Sequence, residues 1–95
     1  MSFNLRLKQE AKEDIINAYE YYESLQLNLG IKFIEHLENL LEYIQKNPLH
    51  FPIKRQPYHQ AILKKFPFII IYEVENEFIV VYAVFNTWQD PLKKP

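Results

Sequence analysis

"FIIIYEVENEFIVVYAVF", residues 68–85, decides the fold of this chain. Two runs rich in β-branched and aromatic residues flank the short polar stretch Glu75-Asn76-Glu77, the pattern of two strands closed by a tight hairpin. Side chains alternate between the faces of a strand, so Phe68, Ile70, Tyr72 and Val74 share one face and Ile69 and Ile71 the other. The second run repeats this, with Phe78, Val80, Tyr82 and Val84 set against Ile79, Val81, Ala83 and Phe85. Antiparallel sheets packed on one side usually show a polar outer face. Here both faces are apolar, so either the connector and first strand wrap the second face or a partner covers it. A partner is the expected cover, because large exposed apolar patches mark interaction sites.

Upstream of the hairpin, "YHQAILKKF" (58–66) reads as another strand, and "NPLHFPIKRQP" (47–57), with three prolines, as an irregular connector. Earlier still the period changes. Ala11, Ile15, Ala18, Tyr22 and Leu25 recur at three- and four-residue steps, the inner stripe of a helix. Phe33, Leu37, Leu40, Leu41 and Ile44 form the same stripe on a second helix, with Lys32, Glu35, Glu38 and Glu42 outward. Pro48 stops that helix near Lys46 or Asn47. Gly30, the only glycine, is expected as the left-handed residue closing the first helix. "FNLRLK" (3–8) alternates as a first strand. The chain therefore reads as one α+β domain over 1–95, in the order β-α-α-β-β-β, with a helical hairpin packed on an antiparallel sheet.

Composition narrows the chemistry. A single glycine leaves no room for a Walker-type loop or a G-x-G-x-x-G turn. The absence of cysteine removes disulfides, thiol nucleophiles and cysteine-based zinc sites. No secretory h-region opens the chain, and its longest apolar run is far short of the roughly 20 residues that span a bilayer. A cytoplasmic protein without membrane contact is expected. Net charge is −1, with −3 over residues 1–50 and +2 over residues 51–95, which is weakly basic for a nucleic-acid binder.

The pieces D-I-x-x-A-x-x-Y-Y (14–22), L-G-x-x-F (29–33), N-P (47–48), F-P-F-x-I-x-Y (66–72) and V-F-x-x-x-x-x-P (84–91) run in order along nearly the whole chain. Together they resemble the RelE/ParE toxin superfamily of type II toxin–antitoxin modules, also called plasmid stabilisation system proteins. The resemblance implies a small α+β domain and a cognate antitoxin whose disordered segment folds around the toxin. It also implies growth inhibition, relieved by that antitoxin. The long paired helices and the "FPF" strand look most like the ParE branch, whose members poison DNA gyrase without a nuclease centre. The alternative is a RelE-type endoribonuclease that cuts mRNA at the ribosome without metal. A degenerate member that binds antitoxin and poisons nothing is the third reading. A homodimer or a toxin–antitoxin hetero-oligomer is compatible with any of them.

Metal-independent RNA cleavage needs a base, an acid and cations on the phosphate. If this chain is a ribonuclease, Lys54, Arg55, His59, Lys64 and Lys65 are the candidates. It departs from many relatives at His59, near a position often held by arginine, at Asn86, where histidine is common, and at Gln89, where arginine is frequent. Asn86 cannot exchange a proton, and with the weak basic charge this favours a toxin that is not an enzyme, the metal-independent endoribonuclease standing as the alternative. The Lys64–Lys65 pair reads first as a solvated strand edge. Ser2, Ser24 and Thr87 are the only side-chain hydroxyls besides tyrosine, with no histidine beside Ser24. His36, His50 and His59 are scattered without metal-ligand spacing, so no metal or cofactor is expected. Tyr19, Tyr21 and Tyr22 read as core and rim of the helical hairpin. Asn86, Trp88, Gln89, Lys93 and Lys94 form an expected binding rim at the end of the last strand, Trp88 being the only tryptophan.

Overall fold

The computed structural model describes residues 3–88. Its elements are β1 (Asn4–Leu7), α1 (Gln9–Leu25), α2 (Leu29–Lys46), β2 (Ile53–Arg55), β3 (Tyr58–Ile62), β4 (Phe68–Glu75) and β5 (Phe78–Asn86). Among the described residues they form one sheet in the order β1-β5-β4-β3-β2. The sheet is mixed, which corrects the all-antiparallel expectation. β1 lies parallel to β5, with Leu5 opposite Ile79 and Leu7 opposite Val81, and every other pairing is antiparallel. The connection between this parallel pair runs through both helices and then β2, β3 and β4. A short β2, inside the proline-rich segment, is the strand that sequence reading left as irregular connector.

α1 and α2 bury Ala11, Ala18, Tyr22, Phe33, Leu37 and Ile44 against the sheet residues Ile70, Tyr72, Ile79, Val81 and Val84. Tyr22, Phe33, Phe66 and Phe68 meet at ring centroid distances of 4.9 to 6.2 Å, tilted or edge-on, which suits the ring quadrupoles.

The joint between the helices corrects the reading of Gly30. The left-handed residue is Asn28, with φ 70°, while Gly30 is buried in the first turn of α2. A Cβ there would lie 2.7 Å from the Tyr19 carbonyl oxygen and 2.9 Å from its Cδ1. Glycine is required for close approach of two helices. The Asn28 side chain makes no cap hydrogen bond; instead the Glu23 carboxylate accepts the N–H groups of Asn28 at 2.9 Å and Gly30 at 3.0 Å. A carboxylate at a helix N-terminus satisfies orphan donors and favours the dipole. Glu23→Ala is expected to lower stability by about 1 kcal/mol, read by denaturant unfolding, with Glu23→Gln recovering part of the loss.

β5 carries a second correction. Ile71 lies opposite Ala83 but Tyr72 lies opposite Val81, so Tyr82 is an extra residue in a β-bulge. The bulge shifts the alternation by one. Ile79, Val81 and Val84 therefore all face the helices, and Ile69, Ile71, Ala83 and Phe85 form a separate cluster on the outer face. Those four are only 5%, 1%, 6% and 7% exposed, with Tyr58 packed against them. The outer face is thus not the open apolar patch expected. Its other end is screened by cations: the Arg6 guanidinium lies 4.1 Å from the Phe78 ring centre and the Lys8 ammonium 5.5 Å from that of Tyr82.

Tyr82 also donates to the Glu73 carboxylate at 3.0 Å, and this bond raises its hydroxyl to about 12. Burial raises Tyr72 as well. A tyrosine whose folded pKa is raised contributes stability fully present below pH 10, the unfolded value, and lost as pH climbs through the folded one. Unfolding midpoints are expected to hold up to pH 10 and fall above it, and Tyr82→Phe should flatten part of that fall.

Candidate functional site

α1 presents a polar residue on its inner stripe. Asp14 sits one turn after Ala11 and one turn before Ala18, both buried. β1 pairs with β5 only as far as Val81. Beyond that point Val84 has no strand beside it on that edge, and its N–H donates to Asp14 Oδ2 at 3.0 Å. A side chain replaces the missing strand. Burial, outweighing the Val84 bond that lowers it, lifts the Asp14 carboxyl above its ordinary value, with Glu10 and Glu13 adding to the rise. A carboxyl raised on folding contributes stability present below its unfolded pKa of 3.8 and lost as pH rises through its folded value. Relative to Asp14→Asn, the natural chain should lose unfolding free energy as pH rises from 3.8, a difference read by denaturant unfolding at successive pH values.

Around Asp14 opens a cleft of about 280 Å³ between α1 and the ends of β4 and β5. Its floor is Ala18, Tyr22, Phe68 and Val84, all buried. Its rim is Tyr21, 57% exposed, Trp88, 81% exposed, and Asn17. Asn86 also lines it, and Asn86 Oδ1 accepts the N–H of Trp88 at 2.8 Å, holding the turn that carries the indole. Asn86 and Trp88, placed by sequence on a binding rim, thus share one cleft. Gln89, Lys93 and Lys94 lie outside the described residues. Sequence reading missed Asp14 as part of this site. Its signal was a carboxylate on an apolar helical stripe.

The five residues considered for RNA cleavage occupy different places. His59 is 5% exposed and faces the helices, stacked on Tyr72 with ring centroids 4.9 Å apart and its Nδ1 at 2.8 Å from the Phe51 carbonyl oxygen. Lys54 and Arg55 are exposed on β2, Arg55 opposite Tyr58 at the start of β3. Lys64 and Lys65 are exposed in the turn after β3, six or more residues beyond Tyr58, which places them roughly 20 Å along the strand from Arg55 at ~3.3 Å per residue. No described group of three His, Cys, Asp or Glu could hold a metal ion, and no described helix is long and apolar enough to cross a membrane.

A second, larger groove of about 510 Å³ lies between α2, the connector and the end of β3. Leu40, Phe51 and Leu63 line it, with Tyr43 and Ile62 exposed at 43% and 71%. His36, His50 and Lys64 also line it, and no carboxylate does among the described residues.

A helical hairpin on a five-stranded mixed sheet defines the class as a small α+β domain. The model of the family "ParE toxin of type II toxin-antitoxin system, parDE" matches residues 5–91, and the chain belongs to that family. The structure is similar to a solved one described as "Chromosomal ParDE TA system from P. aeruginosa", with TM-score 0.79 and 16% identity, covering 90% of this chain and 96% of that one. At that identity the likeness speaks for the fold. No curated protein matches the sequence.

Proposed function

We propose that this protein is a growth-inhibiting toxin that acts by binding DNA gyrase and is neutralised by an antitoxin encoded beside it. The family match over residues 5–91 carries the reading. The side-chain geometry supports binding over catalysis: His59 is buried and spent on the Phe51 carbonyl, and Asn86 holds a turn. The antitoxin would dock as an acidic amphipathic segment in the groove beside α2. Exposed Tyr43 and Ile62 offer apolar anchors there, and Lys64 offers complementary charge.

The test is expression with and without the neighbouring reading frame. Expected are growth arrest and filamentation with the toxin alone, rescue by the neighbour, and loss of gyrase supercoiling activity at micromolar protein. Unaltered supercoiling would overturn the gyrase target. Ribosome-dependent mRNA cuts lost in a Lys54→Ala, Arg55→Ala double variant would establish the ribonuclease reading instead. Ile62→Asp is expected to weaken antitoxin capture at least tenfold while leaving toxicity in place.

A further inference from the structure

The cleft around Asp14 has a chemical character distinct from the groove beside α2. It joins one carboxylate, two exposed aromatic rims and an apolar floor, and no lysine or arginine lines it among the described residues. We propose that this cleft is a receptor for a single arginine side chain of a bound polypeptide, with Asp14 as counter-charge and Tyr21 and Trp88 as aromatic walls. The proposal does not rest on toxicity or on gyrase.

Size comes first. At about 280 Å³ the cleft lies below the ~300–1,000 Å³ usual for small-molecule pockets, which suits one long side chain rather than a whole ligand. Charge comes second. Asp14 gives one lone pair of Oδ2 to Val84, and a carboxylate has about four acceptor positions, so both oxygens can still receive donors. Glu10 and Glu13 add negative potential from the same helix. A half-buried carboxylate is costly to ionise, and a cation seated beside it removes that cost.

Shape decides between cations. A guanidinium is planar, presents paired donors to a carboxylate and stacks on aromatic faces, whereas an ammonium is compact and strongly hydrated. Exposed Tyr21 and Trp88 give a guanidinium two aromatic surfaces on the rim. The methylene stem would lie on Ala18, Tyr22 and Phe68. Asn86 is a positioning residue in this arrangement, since its Oδ1 fixes the Trp88 backbone.

Trp88 is the sole tryptophan, so its fluorescence reports occupancy directly. The probes are blocked Gly-Arg-Gly, Gly-Lys-Gly and Gly-citrulline-Gly tripeptides, titrated into the whole chain. The arginine peptide is expected to saturate with Kd about 1 mM or tighter. The lysine and citrulline peptides should bind about tenfold more weakly or worse. Asp14→Asn keeps an oxygen for the Val84 N–H and should abolish the preference for arginine over citrulline. Asn17→Lys, at an exposed site on the rim, should weaken arginine binding at least tenfold by placing a competing cation there, and it serves alone if Asp14→Asn fails to fold. Absence of saturation, equal binding of arginine and citrulline, equal binding of lysine, or unchanged affinity in Asn17→Lys would each overturn the proposal.

Discussion

Tyr72→Ala is expected to lower the unfolding free energy by about 4–5 kcal/mol, a large part of the ~5–15 kcal/mol usual for a domain. The residue is fully buried between the helices and the sheet. Removing the ring deletes apolar burial and the stack on His59, whose ring lies nearly parallel at 11°. It also removes the hydroxyl that donates to the Pro48 carbonyl at 2.6 Å. Pro48 begins the connector, and the His59 ring pairs with Phe51 further along it, so the two aromatic side chains together pin that segment to the sheet. Tyr72→Phe isolates the hydroxyl. It leaves the buried Pro48 carbonyl without this donor, which costs about 1–3 kcal/mol. At ~4–8 °C per kcal/mol for a domain of this size, the melting temperature should fall by several degrees in the phenylalanine variant and far more in the alanine variant. Equal losses in the two variants would show that packing contributes nothing beyond the hydroxyl.

Gly30→Ala is the second. In an open helix the change would be favourable by about 1 kcal/mol, because alanine loses less backbone entropy than glycine. Here the new methyl would sit 2.7 Å from a backbone oxygen of α1 and 3.0 Å from the Glu23 carboxylate that caps α2. A flexible side chain could move aside; the Tyr19 carbonyl moves only with α1. Overpacking of this kind costs about 1–3 kcal/mol, which offsets the propensity gain and leaves a net loss of up to roughly 2 kcal/mol, read by thermal or denaturant unfolding. A stabilised Gly30→Ala variant would mean that the helices separate freely at this end. Glu23→Ala combined with Gly30→Ala should lose less than the sum of the single changes, because both act on one joint.

The local periods in the sequence were enough for the helices and strands. Alternation and three-to-four spacing are local signals, and they identified both helices, the 68–85 hairpin and the first strand. The ordered motifs gave the family. Phe68, Ile70 and Tyr72 were correctly set on one face because no bulge interrupts β4 before them. The β5 faces were misassigned because the inserted Tyr82 inverts the alternation, and a bulge is a matter of pairing between strands rather than of one strand's pattern. Gly30 was legible as special, but not why: a close contact between helices carries no local trace. The candidate site was legible only at Asn86 and Trp88.

That β1 runs parallel beside β5 and stops short left no local trace, because pairing between distant parts of a chain depends on long-range packing. That early stop frees the Val84 N–H, draws in Asp14 from a helix 70 residues away in sequence, and opens a cleft beside it. Local patterning along the chain carried both helices, every strand except β2, and the family. The three-dimensional packing buried His59 in the core and brought Asp14 and Trp88 to one cleft. Burial and long-range hydrogen bonding join residues that no window along the chain contains.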